Sequence, residues 1–366
     1  MSFKLKIVSV ISLIAVVFNS CKNELNILAP YKESVSVYAL LNPQESRNYV
    51  RINRIFLGEG NSYQMAQVND SINYKKGELT VTLERYENGN LALTTVGNPT
   101  KKLITLNDTV IQTQGGVFNT NQRLFYTDDK LYTWGDYKLT ITNNKTGNVF
   151  TSKGTIIDSI KPFAFPPISA PYFPVAYNPS NPSSYYIDYS LPTVSRTIRF
   201  NSIPNARDYD VIMRFHYADS LNTGALVPKY VDYTFPTVSS TGLSGGEQLS
   251  VSFTSGEFYG FLVNKLNASE PSNLLFRKII KLDFIVIAGA QDFSDFLKIS
   301  APSTSVAQDK PIYSNIEGGF GIFSSRSRLH VSKQISVSWI DYMASTKPTC
   351  NLRFLKSDGN VSAICN

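Results

Sequence analysis

The sequence predicts a mainly β protein with two antiparallel β-sandwich domains of immunoglobulin or fibronectin type, the second carrying one or two short inserted helices. Three observations favour this class. Apolar and polar residues alternate with a period of two over many short segments, as in half-buried strands. Turns rich in asparagine and glycine separate these segments. The chain has 366 residues, 42% hydrophobic and 17% charged, which is enough for the cores of two ordinary domains.

The N-terminus has the pattern of a targeting segment. Lysines precede a 12-residue apolar run at 7–18, which is too short to span a bilayer and fits a signal peptide over 1–20. Cys21 follows a small residue, the position where bacterial lipoprotein processing diacylates the thiol. We therefore expect a lipidated tether over 21–25, because several acyl chains anchor firmly where one is marginal. The alternative is ordinary cleavage with an incidental cysteine.

The first sandwich is predicted over 26–158. Its strands alternate clearly and are followed by short turns such as 87–90 and 143–148. The segment 135–141 is similar to the penultimate strand of an immunoglobulin-like sheet. The predicted strands are 35–41, 50–56, 79–86, 91–96, 136–142 and 149–152.

A proline-rich linker is predicted over 159–185, since 161–184 contains seven prolines in 24 residues. Proline removes strand hydrogen bonds and stiffens the chain, so the segment is a semi-rigid spacer or wraps a surface. Aromatic residues interleave with the prolines. Tyr172, Phe173 and Tyr177 are candidate contacts for a partner, the alternative being that they pack on the flanking domains.

The second domain is predicted over 186–366. Its opening segment 196–217 is similar to the first strands of fibronectin type III domains. A capping box at 254–257 predicts a helix, with Phe258 and Leu262 among the residues on its apolar side. The remaining elements are predicted as strands at 278–288 and 335–339 and a helix at 291–299.

Two cysteines remain near the C-terminus. Export would place Cys350 and Cys365 in an oxidising compartment, where they most simply pair with each other. Because 356–360 contains an Asp-Gly turn, we predict that this disulfide joins the two strands of a terminal hairpin. Two free thiols are the alternative.

The sequence offers few groups for chemistry. A net charge of +7 without basic clusters argues against nucleic-acid binding. His216 and His330 lack partners at metal-ligand spacing, so we expect no metal site and no cofactor. Ser244 lies in a Gly-x-Ser-x-Gly pattern, but an alternating strand follows it and no helix, so we expect no enzyme. Asp208 and Asp210 share a strand face and are a calcium alternative to a solvated surface.

The segment 276–326 resembles the C-terminal box of an uncharacterised Bacteroidota outer-membrane lipoprotein family. Family members carry a helix, a proline-containing loop and then the box, and are often encoded beside TonB-dependent receptors. The family has no assigned reaction or ligand, so the resemblance implies location and context. The matching box residues are Asn315, Ile316, Glu317, Gly318, Gly319, Gly321 and Phe323. A phosphate-binding loop, the other interpretation of these glycines, would need a helix behind them.

Two classes of function follow as expectations. The first is a lipid-anchored binding protein of the outer membrane, on its periplasmic or surface face, that assists a β-barrel TonB-dependent receptor in nutrient capture. The second is a structural or adhesive subunit of fimbrial type. A fimbrial precursor needs a cleavage site, typically after arginine, before a strand that can be donated. Arg47, Arg51 and Arg54 lie within or close to a predicted strand, which favours the binding protein.

Overall fold

The computed structural model describes residues 33–55, 72–112, 121–133, 135–160, 186–301, 312–362 and 365. The predictions for Cys21 and for Tyr172, Phe173 and Tyr177 lie outside the described residues. Within them the fold is mainly β with antiparallel sheets, which confirms the predicted class, and it includes three α-helices.

Strands dominate both described halves of the chain, and the described helices lie in the C-terminal half. The strands are β1 (Val35–Leu41), β2 (Asn48–Arg54), β3 (Leu79–Glu87), β4 (Asn90–Ala92), β5 (Leu103–Thr105), β6 (Asn107–Gln112), β7 (Asn121–Thr127), β8 (Asp136–Asn143), β9 (Val149–Thr155), β10 (Tyr186–Ile187), β11 (Ser195–Asn201), β12 (Ala206–Leu221), β13 (Leu226–Thr234), β14 (Val238–Ser239), β15 (Gln248–Thr254), β16 (Leu274–Ala290), β17 (Ile316–Glu317) and β18 (Phe320–Ile335). Among the described residues, the helices are α1 (Ser255–Ala268), α2 (Gln291–Ser300), α3 (Val337–Ser345) and a short 3₁₀ helix, Cys350–Leu352.

A ten-stranded sheet joins the two halves of the chain. Its main path runs β13-β12-β16-β18-β1-β2-β7-β6, with β10 and β14 as short additions. The long strand β18 makes the connection: its first half runs parallel to β1, with Gly321 opposite Val37, and its second half runs antiparallel to β16, with Ser332 opposite Asp283. The β1–β18 pair can be parallel because strands far apart in sequence need no tight turn between them.

Two further sheets and two apolar clusters complete the fold. A six-stranded sheet contains β17-β9-β8-β3-β4 and β5, and β11 pairs with β15. The first cluster gathers the inward residues of the N-terminal strands and also Ile316 and Phe323. The second gathers the C-terminal strands and helices and also Ile157. Each cluster therefore takes residues from both halves of the sequence.

Local signals decide most helix boundaries. The predicted capping box is present at α1, where the Thr254 hydroxyl accepts from the Glu257 N–H, and α2 lies where a helix was predicted. The strand prediction at 335–339 is wrong beyond its first residue. Ser336 caps α3 by accepting from the Trp339 N–H at 3.2 Å, and the helix buries Trp339 and Met343 on one side.

The C-terminus differs in part from the prediction. The structure pairs Cys350 with Cys365, their Cα atoms 5.5 Å apart. The predicted turn is present, since the Lys356 N–H donates to the Asn360 carbonyl at 2.9 Å. The hairpin strand expected at Cys350 is wrong, because this residue begins the 3₁₀ helix that follows α3.

Candidate functional site

The family box, residues 315–323, is a structural junction. The Asn315 Nδ2 donates to the Phe323 carbonyl at 2.7 Å, and the Phe323 N–H donates to the Asn315 Oδ1 at 2.9 Å. Glu317 accepts from the Thr151 hydroxyl, which ties the box to β9. The polar side chains of the box are therefore bonded within the protein and hold β17 and β18 in place.

The glycines of the box permit close backbone approach. Gly321 has φ +108°, and a Cβ there would overlap the Val37 carbonyl oxygen on β1. A Cβ at Gly319 would lie 2.7 Å from the Val35 carbonyl oxygen. Strand β18 follows the box, so the helix that a phosphate-binding loop needs is not behind it.

The two histidines meet at one carboxylate on the outer face of the large sheet, the face opposite the apolar clusters. His216 Nε2 lies 2.8 Å and His330 Nε2 3.0 Å from the Asp283 Oδ2. Lys281 Nζ lies 3.0 Å from the Asp283 Oδ1, which also accepts from the Ser332 hydroxyl. These five residues, which we call the polar patch, come from three strands, so sequence spacing gives no sign of them.

The polar side chains of the patch are bonded to one another. Burial alone would raise the pKa of Asp283, but hydrogen bonds from Ser332, Lys281 and both histidines outweigh it and hold that pKa well below its usual range. Ser332 donates to the carboxylate, so the described residues contain no serine–histidine pair in this patch. In the described part of the chain, no group of three or more His, Cys, Asp or Glu residues could hold a metal ion.

The other candidates from the sequence are also structural or solvent-exposed. Ser244 is exposed in an irregular loop before β15, a strand, so the elbow geometry of a hydrolase is not formed. Asp208 accepts from the Ser239 hydroxyl and pairs with Lys298 Nζ at 3.0 Å, and Asp210 accepts from Thr237 at 2.6 Å. A lysine therefore neutralises Asp208, and Asp210 is held by a hydroxyl, so both carboxylates are engaged with side chains of the protein.

A different region has the features of a binding site. We call it the open cleft: a depression of about 470 Å³ on the outer face of β1, β2 and β7. Its size lies within the range of small-molecule pockets. The residues that give the cleft its chemical character are Tyr38, Asn48, Tyr49, Arg51, Gln122, Leu124 and Arg326.

Strand alternation places the outward side chains of this set, whereas Asn48 alternates with Tyr49 and is buried. Tyr38 is opposite Arg51, and Arg51 is opposite Leu124, so the three form a row across β1, β2 and β7. Their neighbours Val37 and Ile52 point the other way and are buried in the first cluster. Because side chains on a strand alternate between faces, burying one set fixes the other set on the outer face.

Aromatic contacts fix the edges of the open cleft. Tyr49 lies opposite Tyr126 with ring centroids 6.3 Å apart, and the Arg47 guanidinium stacks 4.2 Å from the Tyr126 centroid. Arg47 also donates to both oxygens of Asp128, at 2.5 and 2.8 Å. Phe296 of α2 meets the Tyr38 ring edge-on, with the ring centroids 6.4 Å apart. Both cleft tyrosines keep a large exposed surface, 48% for Tyr38 and 40% for Tyr49.

Two arginines at the open cleft have donors that the described residues do not use. Asn48 differs, because it is 4% exposed: its Oδ1 accepts from the Asn42 N–H at 2.6 Å, and its Nδ2, which has no partner among the described residues, is closed off from solvent. The Arg51 Nε donates to Asn53 at 2.8 Å, and its terminal nitrogens have no described partner. Arg326 has no side-chain partner in the described part of the chain.

The sequence analysis did not single out this cleft. Arg51 entered it only as a poor cleavage site, and the proposed contacts Tyr172, Phe173 and Tyr177 lie outside the described residues. The available signal was a tyrosine and an arginine at alternate positions of one strand, Tyr49 and Arg51, two residue types that are enriched at recognition surfaces. Arg326 reaches the cleft from a strand that is distant in the sequence, so no pattern in the sequence links it to Tyr49 and Arg51.

Comparisons with known proteins add little. No protein-family model and no curated protein matches the sequence. The C-terminal globular domain of an oligosaccharyltransferase from Pyrococcus abyssi is 10% identical, with a TM-score of 0.23 over 68% of this chain and 47% of that one. CBD12 from CALX1.2 is 9% identical, with a TM-score of 0.17 over 82% of this chain and 99% of that one. The chain thus spans about half of the first structure, and neither likeness carries an argument.

None of the helices in the described ranges has the length and hydrophobicity that crossing a membrane requires.

Proposed function

We propose that this protein binds a ligand at the open cleft and does not transform it. The observation that carries the proposal is a depression lined by two arginines, Arg51 and Arg326, whose terminal nitrogens have no partner among the described residues, beside two exposed tyrosines. Guanidinium groups pair with acceptor oxygens through charge-assisted hydrogen bonds. A ligand that supplies such oxygens would use these donors.

The chemistry around the open cleft supports binding over catalysis. Exposed tyrosine and arginine side chains are the residue types that contribute most to recognition surfaces. The described histidines, His216 and His330, are both engaged with Asp283 on other strands and are not among the residues lining the cleft. The carboxylate that lines the cleft is Glu45, and no described histidine lies beside it to complete an acid–base pair.

The cellular setting is proposed from the sequence. Cys21 and the apolar run before it favour a lipid anchor, and the resemblance of the box favours the outer membrane and a TonB-dependent receptor as partner. An anchor of this kind would raise the effective concentration of the open cleft near such a receptor. We also propose that the two apolar clusters correspond to two sandwiches of immunoglobulin or fibronectin type.

The fimbrial alternative is less favoured. Cleavage after Arg47, Arg51 or Arg54 would detach β1, which lies between β18 and β2 in the large sheet. Val35 and Leu41 of β1 are fully buried in the first cluster. Releasing this strand would open the core, whereas donor-strand exchange needs a segment that leaves without unfolding the domain.

The proposal is tested by photocrosslinking in intact cells of the source organism. A photoreactive residue replaces Gln122 in the open cleft or, as matched control, the exposed Tyr230 on β13. We expect one discrete envelope adduct from position 122 and none from 230. The Cys21→Ala chain, which we expect to leave the membrane fraction, keeps the open cleft and should still form the adduct. The same adduct from both positions, or none from the anchored chain, would contradict the proposal.

A further inference from the structure

The chemical character of the open cleft narrows the class of its ligand, an inference that rests on the proposed function. Two opposite features coexist there. Arg51, Arg326 and the Gln122 amide offer hydrogen-bond donors, whereas Tyr38, Tyr49 and Leu124 offer apolar or aromatic surface. A ligand that matches the cleft must be a small molecule with both acceptor oxygens and a flat apolar surface.

Charge selects an anion. The open cleft is lined by three arginines and one glutamate, Glu45. Arg47 is neutralised by Asp128, with its nitrogens 2.5 and 2.8 Å from the two carboxylate oxygens. The two remaining arginines carry two positive charges, against one negative charge on the glutamate, so the lining has a net positive charge. Guanidinium groups bind carboxylates through paired N–H donors, and this geometry favours a carboxylate over a neutral acceptor.

Ring surface and size select among anions. A simple phosphate would satisfy the arginines and leave the exposed tyrosine faces uncovered. A sugar ring presents hydroxyl acceptors at its edge and C–H groups on its faces, and such polarised hydrogens suit the electron-rich faces of aromatic rings. Eleven residues line the cleft, whereas a stable protein interface takes about 20–30 residues on each side. The size thus favours a small ligand over a folded protein.

We propose that the open cleft binds a carboxylated saccharide. The carboxylate is received by Arg51 or Arg326, a ring hydroxyl by the Gln122 amide, and the ring face by Tyr38 or Tyr49. An acidic peptide has the charge but lacks the rigid ring with hydroxyls, and is the alternative that the experiment separates.

The test is isothermal titration of the purified chain with oligogalacturonate, alginate oligomers and chondroitin oligomers, each beside its methyl ester. The ester keeps the ring and removes the charge. We expect at least one acid to bind about tenfold or more tightly than its ester, because a charge-assisted hydrogen bond contributes about 1.5–3 kcal/mol. Oligoglutamate and inorganic phosphate are titrated in parallel as probes for a peptide or a bare anion.

Variants assign the binding to the open cleft. Arg51→Gln and Arg326→Gln are the test variants: at least one of them should weaken the acid by about tenfold, and Arg51→Lys should restore part of the loss at that position. Arg328→Gln is the matched control, since Arg328 lies on the same strand but does not line the cleft. Its affinity should match the wild type. Thermal melting verifies that every variant folds.

The outcomes separate the two proposals. If no acid binds, if esters bind equally, or if oligoglutamate or phosphate binds best, the saccharide inference is overturned. When that happens and the crosslink at position 122 persists, the binding function still stands. If the crosslink is also missing, both proposals fail.

Discussion

The family box and the open cleft lie on neighbouring strands yet differ in how their polar groups are used. The box is the most recognisable motif of the chain, and its Asn315 and Glu317 side chains are bonded to backbone or side chains of the protein itself. The open cleft has no motif, and the terminal nitrogens of its Arg51 have no partner among the described residues. A motif of glycines and polar residues can thus mark a junction, whereas the cleft keeps donors for the ligand that we propose.

The polar patch is an intermediate case. It has the residue types of an active site, two histidines, a serine and an aspartate, but they all converge on Asp283. If internal bonding is the right criterion, substitutions in the box and the polar patch should change stability. Substitutions in the open cleft should change binding alone.

The largest expected effect is in the box. Gly321→Ala forces a Cβ into the Val37 carbonyl at a positive φ, so the free energy of unfolding should fall by more than about 3 kcal/mol. Gly147→Ala is the control: Gly147 also has positive φ, but a Cβ there meets nothing within 4 Å. That variant should lose only about 1–2 kcal/mol. Urea unfolding of both variants measures the difference. Equal losses of stability would contradict the role of Gly321 in the close approach of β18 to β1.

The next effect concerns the polar patch. Asp283→Asn removes a charged acceptor from Lys281, Ser332 and both histidines, and we expect a loss of about 1–2 kcal/mol, since the histidines and Lys281 are partly exposed. Urea unfolding at neutral pH measures it. A variant as stable as the wild type would show that the patch contributes nothing to folding.

The same pair of proteins has a defined pH dependence. The folded-state pKa of Asp283 is lowered, so its stabilising contribution is complete above the unfolded value of about 3.9 and is lost as pH falls through the folded-state pKa. The stability difference between wild type and Asp283→Asn should therefore hold down to about pH 5 and shrink below about pH 4. A difference that grows with acid would contradict the lowered pKa.

The smallest expected effect on stability is in the open cleft. Arg326→Gln should change the free energy of unfolding by less than about 0.5 kcal/mol, because its side chain has no partner among the described residues. Chemical denaturation beside the saccharide titrations measures both properties on one sample. A large loss of stability would mean that Arg326 is structural, and the distinction between cleft and box would fail.

Local structure in this protein follows from the sequence alone. The period of two predicted the β class and placed many of the strands, because alternation reports directly which side of a strand is buried. The capping box placed α1 for the same local reason, since its two hydrogen bonds join residues three apart. Ser336 shows the limit of prediction from local sequence. This residue caps α3, but it lies in an alternating segment that predicts a strand, and the burial of Trp339 stabilises the helix instead.

Which strands are neighbours in the sheets, in contrast, depends on the tertiary structure. The parallel pairing of β1 with β18 joins residues nearly 300 positions apart, and it creates the box junction and brings Arg326 to the open cleft. The same kind of pairing collects the polar patch from β12, β16 and β18. Sequence spacing carries no record of such contacts, because a β-sheet hydrogen bond has no preferred separation along the chain.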